Sequence, residues 1–165
     1  MLILGFDLSL SNTGWALLEV IDKWNFRVIK TGHIKTCLTE GKIKYSTGSR
    51  LTKISKQMMN ILERFNADCV VKESSFSNGN IKSTQQIFKV VGVFEMLIHQ
   101  SDIFTFTEYA PATIKKTITG NGRSSKEEVT LAIEKLTTIK TKNDNITDAI
   151  AVALTYAIKN NLIVL

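Results

Sequence analysis

Sulfur and imidazole are scarce in this chain: two cysteines, Cys37 and Cys69, and two histidines, His33 and His99, among 165 residues. The cysteines cannot build a disulfide framework and lack metal-ligand spacing. The histidines stand far apart, which excludes an HExxH zinc site and disfavours a histidine-based triad. A metal enzyme built on this chain must therefore ligate through carboxylates. No apolar run approaches the roughly 18 residues that a membrane span needs. The opening MLILGFDLS has no basic n-region and carries an acid at Asp7, unlike a signal peptide. There is one proline, Pro111, and no repeat or low-complexity tract. The 44% hydrophobic and 22% charged content is that of an ordinary folded chain. These features predict one domain over 1–165 in a reducing cytoplasm.

Acids are the minority charge: 15 against 21 basic residues, a net charge of +6 and a sequence pI near 9.3. Between Lys23 and Lys56 there are nine basic residues and one acid, Glu40. Between Lys82 and Lys126 there are six basic residues and three acids. A phosphate-attracting surface around a few isolated acids suits a nucleic-acid enzyme; plain surface solubility is the competing explanation.

Periodicity organises the chain. Leu2 to Leu8 reads as a buried strand and Ser9 to Thr13 as a turn. Thr13 to Val20 and Phe26 to Ile34 read as two further strands, joined at Asp22 to Asn25. Cys37 to Gly48 reads as a loop. Leu51, Ile54, Met58, Ile61, Leu62 and Phe65 predict a helix over Thr47 to Asn66. A short strand, CVV, ends at Glu73. A loop over Ser74 to Ser83 and a helix from Gln85 to Gln100 follow, then a strand over Ile103 to Thr107. Pro111 opens a short helix ending near Gly120. Ser124 and Ser125, with Glu127 and Glu128, offer two capping boxes for a helix through Leu136. A last helix spans Asn143 to Lys159. Three antiparallel strands followed by αβ units predict an α/β fold of the ribonuclease H-like type, a mixed five-stranded sheet with helices on both faces.

Three acids stand at the edge of that predicted core. Asp7 and Glu73 each end an apolar strand, and Asp148 lies within the apolar pattern of the last helix. Each alone reads as a turn or surface acid. Together, from three elements, they point to a divalent-cation site, because Mg²⁺ prefers oxygen ligands and keeps open positions for water and phosphate. Two such ions about 4 Å apart can activate water against a phosphodiester.

The chain resembles the RuvC family of Holliday-junction resolvases. The match is carried by Gly-Phe-Asp-Leu-Ser-Leu-Ser-Asn-Thr-Gly-Trp-Ala (5–16), Lys-Glu-Ser-Ser-Phe (72–76), the stretch from Glu108 to Gly122 with Lys126, and Asn-Ile-Thr-Asp-Ala-Ile-Ala-Val-Ala (145–153). The resemblance implies a homodimer, built largely on the Gln85–Gln100 helix, that cuts four-way or branched DNA with two Mg²⁺ ions per active site, Mn²⁺ substituting. Asp7, Glu73 and Asp148 would be ligands, with products carrying 5′-phosphate and 3′-hydroxyl ends. Lys115 and Lys126 would act at the scissile phosphate. Lys116 and Arg123 would contact phosphate generally, and all four lysine and arginine positions also suit a solvated helix face. Gly120 and Gly122 would turn close to the DNA backbone, or cap a helix. Phe76 would stack on a base or wedge the junction, or else anchor the core; Asn80 and Lys82 in the same loop could touch phosphate. A bacterial cytoplasm is implied, for a bacterial or a phage gene, and any branch-migration motor would meet the folded surface.

One position departs from the family pattern. Three residues before the last aspartate, where the family has an acid or a His, this chain has Asn145. Asn145 could serve as a neutral or water-mediated ligand. Asp144, within about 60° of Asp148 around the helix axis, could take the role instead, or cap the helix. An engineered change from Asp to Asn is the third explanation. Trp15 and Trp24 are assigned to packing, Met58 and Met59 to a helix core, and Ser9, Ser11 and Asn12 to turn chemistry. The rival functions are a nuclease for other branched DNA or RNA·DNA hybrids, and a junction-binding protein without catalysis.

Overall fold

A computed structural model describes residues 1–36, 39, 40, 43–75, 80–101, 103 and 105–164, with backbone alone at 39, 40, 43 and 44. The strands are β1 (Leu2–Asp7), β2 (Asn12–Val20), β3 (Phe26–Lys35), β4 (Thr39–Glu40), β5 (Ile43–Lys44), β6 (Cys69–Glu73) and β7 (Phe106–Tyr109). The helices are α1 (Thr47–Phe65), α2 (Ile81–Gln100), α3 (Pro111–Thr119), α4 (Lys126–Thr137) and α5 (Asp144–Lys159). Five strands form one sheet in the order β3-β2-β1-β6-β7. β1 runs antiparallel to β2 and parallel to β6, and β6 runs parallel to β7. This is the mixed, doubly covered sheet expected from the element order.

Period-2 alternation sends the two sides of each strand into different cores. Ile3, Ala16, Leu18, Cys69 and Val71 pack under α3, α4 and α5. Leu4, Phe6, Leu17, Ile34 and Val70 pack under α1 and α2. The same alternation decides which face the acids take. Asp7 continues the series Ile3, Gly5, and Glu73 continues Cys69, Val71, so both carboxylates lie on the α5 side. Asp7 and Glu73 each follow the paired residues Phe6 and Lys72, which sets them side by side at the strand ends.

α5 lies directly on this face, and only small residues permit it. A Cβ on Gly5 would stand 2.3 Å from the carbonyl oxygen of Ala149, and one on Gly14 would stand 2.0 Å from that of Asn145. Gly14 pairs with Asp7 across β1 and β2, so the start of α5 rests over the residue opposite Asp7.

Several local expectations are corrected. The loop predicted over Cys37 to Gly48 contains the short β4–β5 ladder. α2 begins at Ile81 rather than Gln85, because the Asn80 side chain accepts from the Ser83 amide and starts the helix before its apolar periodicity begins. Asn80 and Lys82 therefore belong to a helix start rather than a loop. The last strand is Phe106–Tyr109, set by pairing with β6 rather than by the apolar run from Ile103. Only the Ser125–Glu128 capping box forms; Ser124 is buried with its hydroxyl 2.8 Å from that of Thr119. Asn143, not Asp144, caps α5, accepting from the Asn145 amide. Trp15 packs against Phe65, but Trp24 is 72% exposed on the β2–β3 turn, where Asp22 accepts from the Trp24 amide and points the ring outward.

Gly14→Ala should destabilise the fold by about 1–3 kcal/mol, the usual cost of overpacking a tight contact, as measured by urea unfolding. A loss no larger than that of Ala substitution at exposed Gly48, where an added Cβ meets only Ser46 Oγ at 3.7 Å, would contradict the close seat of α5.

Candidate active site

Three elements deliver carboxylates to one place. β1 ends in Asp7, β6 ends in Glu73, and α5 presents Asp148 one turn after Asn145. Ala149 and Ala153 hold that face of α5 against the strands. A cavity of ≈ 350 Å³ is lined by Asp7, Glu73, Lys115, Lys126, Asp144, Asn145 and Asp148, with Pro111, Ile114 and Val129 as its apolar wall. A smaller cavity of ≈ 190 Å³ adjoins it and shares Asp7, Glu73 and Pro111, with Ser74, Ser75 and Ile87 on its far side. Together they form a cleft open on both sides of the Asp7–Glu73 pair.

The electrostatics are unbalanced. Burial, then the nearby Asp148 carboxylate, push the Asp7 pKa up to about 6, against the hydrogen bond from Asn145 and the charge of Lys126. Burial, then Asp7 and Asp148, push Glu73 up to about 7; Lys126 and Lys115 oppose this. Burial also raises Asp148, which Lys126 counteracts. The ammonium of Lys126, the first residue of α4, stands 3.8 Å from Asp148 Oδ2 and 3.9 Å from Asp144 Oδ2. It is 66% exposed, too well solvated to neutralise three clustered carboxylates. A divalent cation would relieve that repulsion, and the all-oxygen donor set suits Mg²⁺ or Mn²⁺. Among the described residues, no three His, Cys, Asp or Glu side chains already enclose one ion. The carboxylates line an open cleft instead, which leaves positions for water and phosphate oxygens.

Asn145 is hydrogen-bonded on both ends of its amide. Its Nδ2 donates to Asp7 Oδ2 at 2.8 Å, and its Oδ1 accepts from Asn12 Nδ2 at 2.9 Å. Asp144 is largely exposed and reaches the cavity from its rim. Of the remaining expected residues, Lys116 and Gly122 line a separate groove with Lys159, on the other side of α3. Gly120 ends α3 in the left-handed conformation with φ 82°, and Arg123 is exposed in the following turn. The Asn80 side chain is engaged in capping α2, and Lys82 is exposed in the first turn of that helix. Phe76 lies outside the described residues.

Asn12 was not anticipated as part of the site. Turn chemistry accounts for its backbone, whose amide donates to Ser9 Oγ. Its side chain reaches the edge of the site through Asn145, because Asn12, Gly14 and Ala16 alternate onto the α5 face. That strand parity was the available signal.

The sequence profile of the crossover junction endodeoxyribonuclease RuvC family matches residues 3–156. The chain is 35% identical over 162 residues to RuvC of Ehrlichia canis, covering 98% of this chain and 99% of that protein. It is 39% identical to RuvC of Ehrlichia ruminantium strain Welgevonden, covering 96% and 99%. Among solved structures it superposes on Thermus thermophilus RuvC in complex with Holliday junction substrate, with a TM-score of 0.86 at 22% identity over 98% of this chain and 95% of that one. The fowlpox virus resolvase with Holliday junction DNA gives a TM-score of 0.56 at 14% identity, over 97% and 99%.

The raised carboxylates carry a pH signature. Between the unfolded and folded pKa values the folded state binds more protons, so stability falls as pH rises, from about 4 to 6 for Asp7 and from about 4.5 to 7 for Glu73. Through these two groups, metal-free protein should be less stable at pH 7.5 than at pH 4 by about 2–3 kcal/mol for each. Asp7→Asn should recover part of that difference at pH 7.5, and Mg²⁺ should stabilise the unaltered chain more than the variant. Urea unfolding across this range decides it; an Asp7→Asn variant less stable than the parent at pH 7.5 without metal would contradict the electrostatic picture.

Proposed function

The chain belongs to the family of crossover junction endodeoxyribonuclease RuvC, and on that premise we propose that it is a metal-dependent endonuclease resolving four-way DNA junctions by paired, symmetric nicks. The observation that carries this reading is the convergence of Asp7, Glu73 and Asp148 with two lysines in one cleft. Asp7, Glu73 and Asp148 are the residues to hold two divalent ions, Mg²⁺ with Mn²⁺ as substitute, which when bound would activate water and neutralise the departing 3′ oxygen. Asn145 holds one oxygen of Asp7 without adding charge. Asp144 at the rim is available as a further carboxylate.

The lysines do the rest. Lys115 lies on the cavity wall and Lys126 at its rim. Lys126 lies beside Asp148 and Asp144. With those acids holding cations, its exposed ammonium would face a phosphate in the cleft and oppose charge developing there. Lys116, Lys159, Gly120 and Arg123 extend the polar, basic surface beyond α3, a track for the duplex arms. The ends produced are 5′-phosphate and 3′-hydroxyl.

A homodimer supports paired cutting, since an isologous pair puts two clefts on opposing strands. What favours α2 as its seam is an apolar stripe turned to solvent. Ile81, Phe88 and Met96 are 72%, 51% and 48% exposed, with exposed Gly92 between the last two. No helix among the described residues is long and apolar enough to cross a membrane, so a bilayer-spanning role for that stripe has no support.

On a labelled four-way junction with Mg²⁺, the chain should make symmetric paired nicks. Asp7→Asn should keep junction binding and lose cleavage by more than the roughly 100-fold typical of losing an outer partner of a metal site. Binding without nicks from the parent chain, with nicks gained in Asn145→Asp, would favour the second reading, a junction binder silenced by its neutral Asn145.

Phe88→Glu should halve the mass seen by analytical ultracentrifugation and uncouple the two nicks. An unchanged mass would remove α2 as the seam.

A further inference from the structure

Asn145 and Asn12 form a chain of two amides ending on Asp7, and its outer member has no assigned role. We propose that Asn12 is a positioning residue: acting through Asn145, it fixes the orientation of the Asp7 carboxylate toward the metal cleft. This rests on the reading of Asp7 as a metal ligand.

The geometry has a direction. Asn145 Nδ2 donates to Asp7 Oδ2 at 2.8 Å, and Asn12 Nδ2 donates to Asn145 Oδ1 at 2.9 Å. An amide has a donor end and an acceptor end, so each bond specifies the next. With its oxygen engaged by Asn12, Asn145 can present only its NH₂ to Asp7. One carboxylate oxygen is thereby held while the other stays outside this relay. A carboxylate at position 145 would instead face Asp7 acceptor to acceptor and would need a cation or proton between them. The amide pair thus orders Asp7 before any ion arrives.

Two further observations set this relay apart from ordinary turn chemistry. Asn12 Oδ1 is buried and lacks a hydrogen-bond partner among the described residues. Buried acceptors are normally satisfied, so the side chain is oriented by its donor end alone, the end that serves Asn145. The bond also spans 133 positions of sequence and crosses the tight seat of α5 on Gly14, so it ties α5, which carries Asp148, to β2, the strand paired with Asp7.

The test uses Asn12→Ala, Asn12→Leu (the same branching, without a donor), Asn145→Ala and the double Asn12→Ala/Asn145→Ala variant. Calorimetry gives Mn²⁺ affinity without DNA, and junction nicking gives the Mg²⁺ concentration for half-maximal rate. Asn12→Ala and Asn12→Leu should each weaken Mn²⁺ binding roughly tenfold, the lower end of what an outer partner contributes to a metal site. They should raise half-saturating Mg²⁺ in parallel and leave the rate at saturating Mg²⁺ in place, while the metal-free melting temperature falls only by the loss of one side-chain hydrogen bond. The double variant should bind Mn²⁺ as weakly as Asn145→Ala alone, because Asn12 acts only through Asn145. Unchanged Mn²⁺ affinity in the Asn12 variants, or a second full loss in the double variant, overturns the relay and leaves the metal site standing. Absence of Mn²⁺ binding by the unaltered chain overturns the metal site and the relay with it.

Discussion

The close seat of α5 on β1 and β2 is the contact on which the rest of this structure depends. Two glycines in the strands, Gly5 and Gly14, meet backbone carbonyls of α5 at Ala149 and Asn145, and any larger residue at either point would drive the helix off the sheet. Packed interiors do not yield gradually. A helix displaced by even the width of a methyl group would carry Asp148 and Asn145 away from Asp7. The glycines therefore do two things at once. They allow the core of Ile3, Ala16, Leu18, Val71 and the alanine-rich helix to close, and they set the distance between the carboxylates.

That closeness costs stability in the metal-free protein. Burial, with repulsion from neighbouring acids, pushes Asp7 up to about 6 and Glu73 up to about 7, and burial with Asp144 raises Asp148. Lys126 offsets part of this from the rim, but a solvated ammonium nearly 4 Å away cannot match a dehydrated divalent ion bound directly by carboxylate oxygens. The cleft is better suited to a charge it does not itself contain. Such a conflict between a stable fold and gathered like charge is concentrated here in one cavity wall. Asn145 softens the conflict by supplying a donor to Asp7 where a further acid would deepen it.

Much of this was legible in the residues. Apolar periodicity marked the five main strands and α1, α2 and α5, Pro111 and the serine–glutamate caps marked α3 and α4, and strand ends at Asp7 and Glu73 with the helical acid Asp148 marked the cluster. The reason is that burial on a sheet face and on a helix face leaves strong periods of two and 3.6. What periodicity could not reach was set by polar local chemistry. The start of α2 depends on the Asn80 cap, the end of the sheet on pairing between β6 and β7, and the cap of α5 on Asn143 rather than Asp144. Asn12 escaped for a related reason. Its backbone satisfies a turn, so only the parity of β2, combined with the seat of α5, reveals that its side chain reaches across to Asn145. Trp24 shows the opposite error, a large apolar residue assigned to packing that a turn holds in solvent.

The most direct test of the account is where a divalent ion settles. Crystals of the unaltered chain soaked in Mn²⁺, with an anomalous difference map at the manganese edge, locate it without reference to activity. The account predicts density between Asp7 and Asp148, within reach of Glu73, with the ammonium of Lys126 moved off Asp148. Manganese bound elsewhere while this cleft stays empty would contradict it.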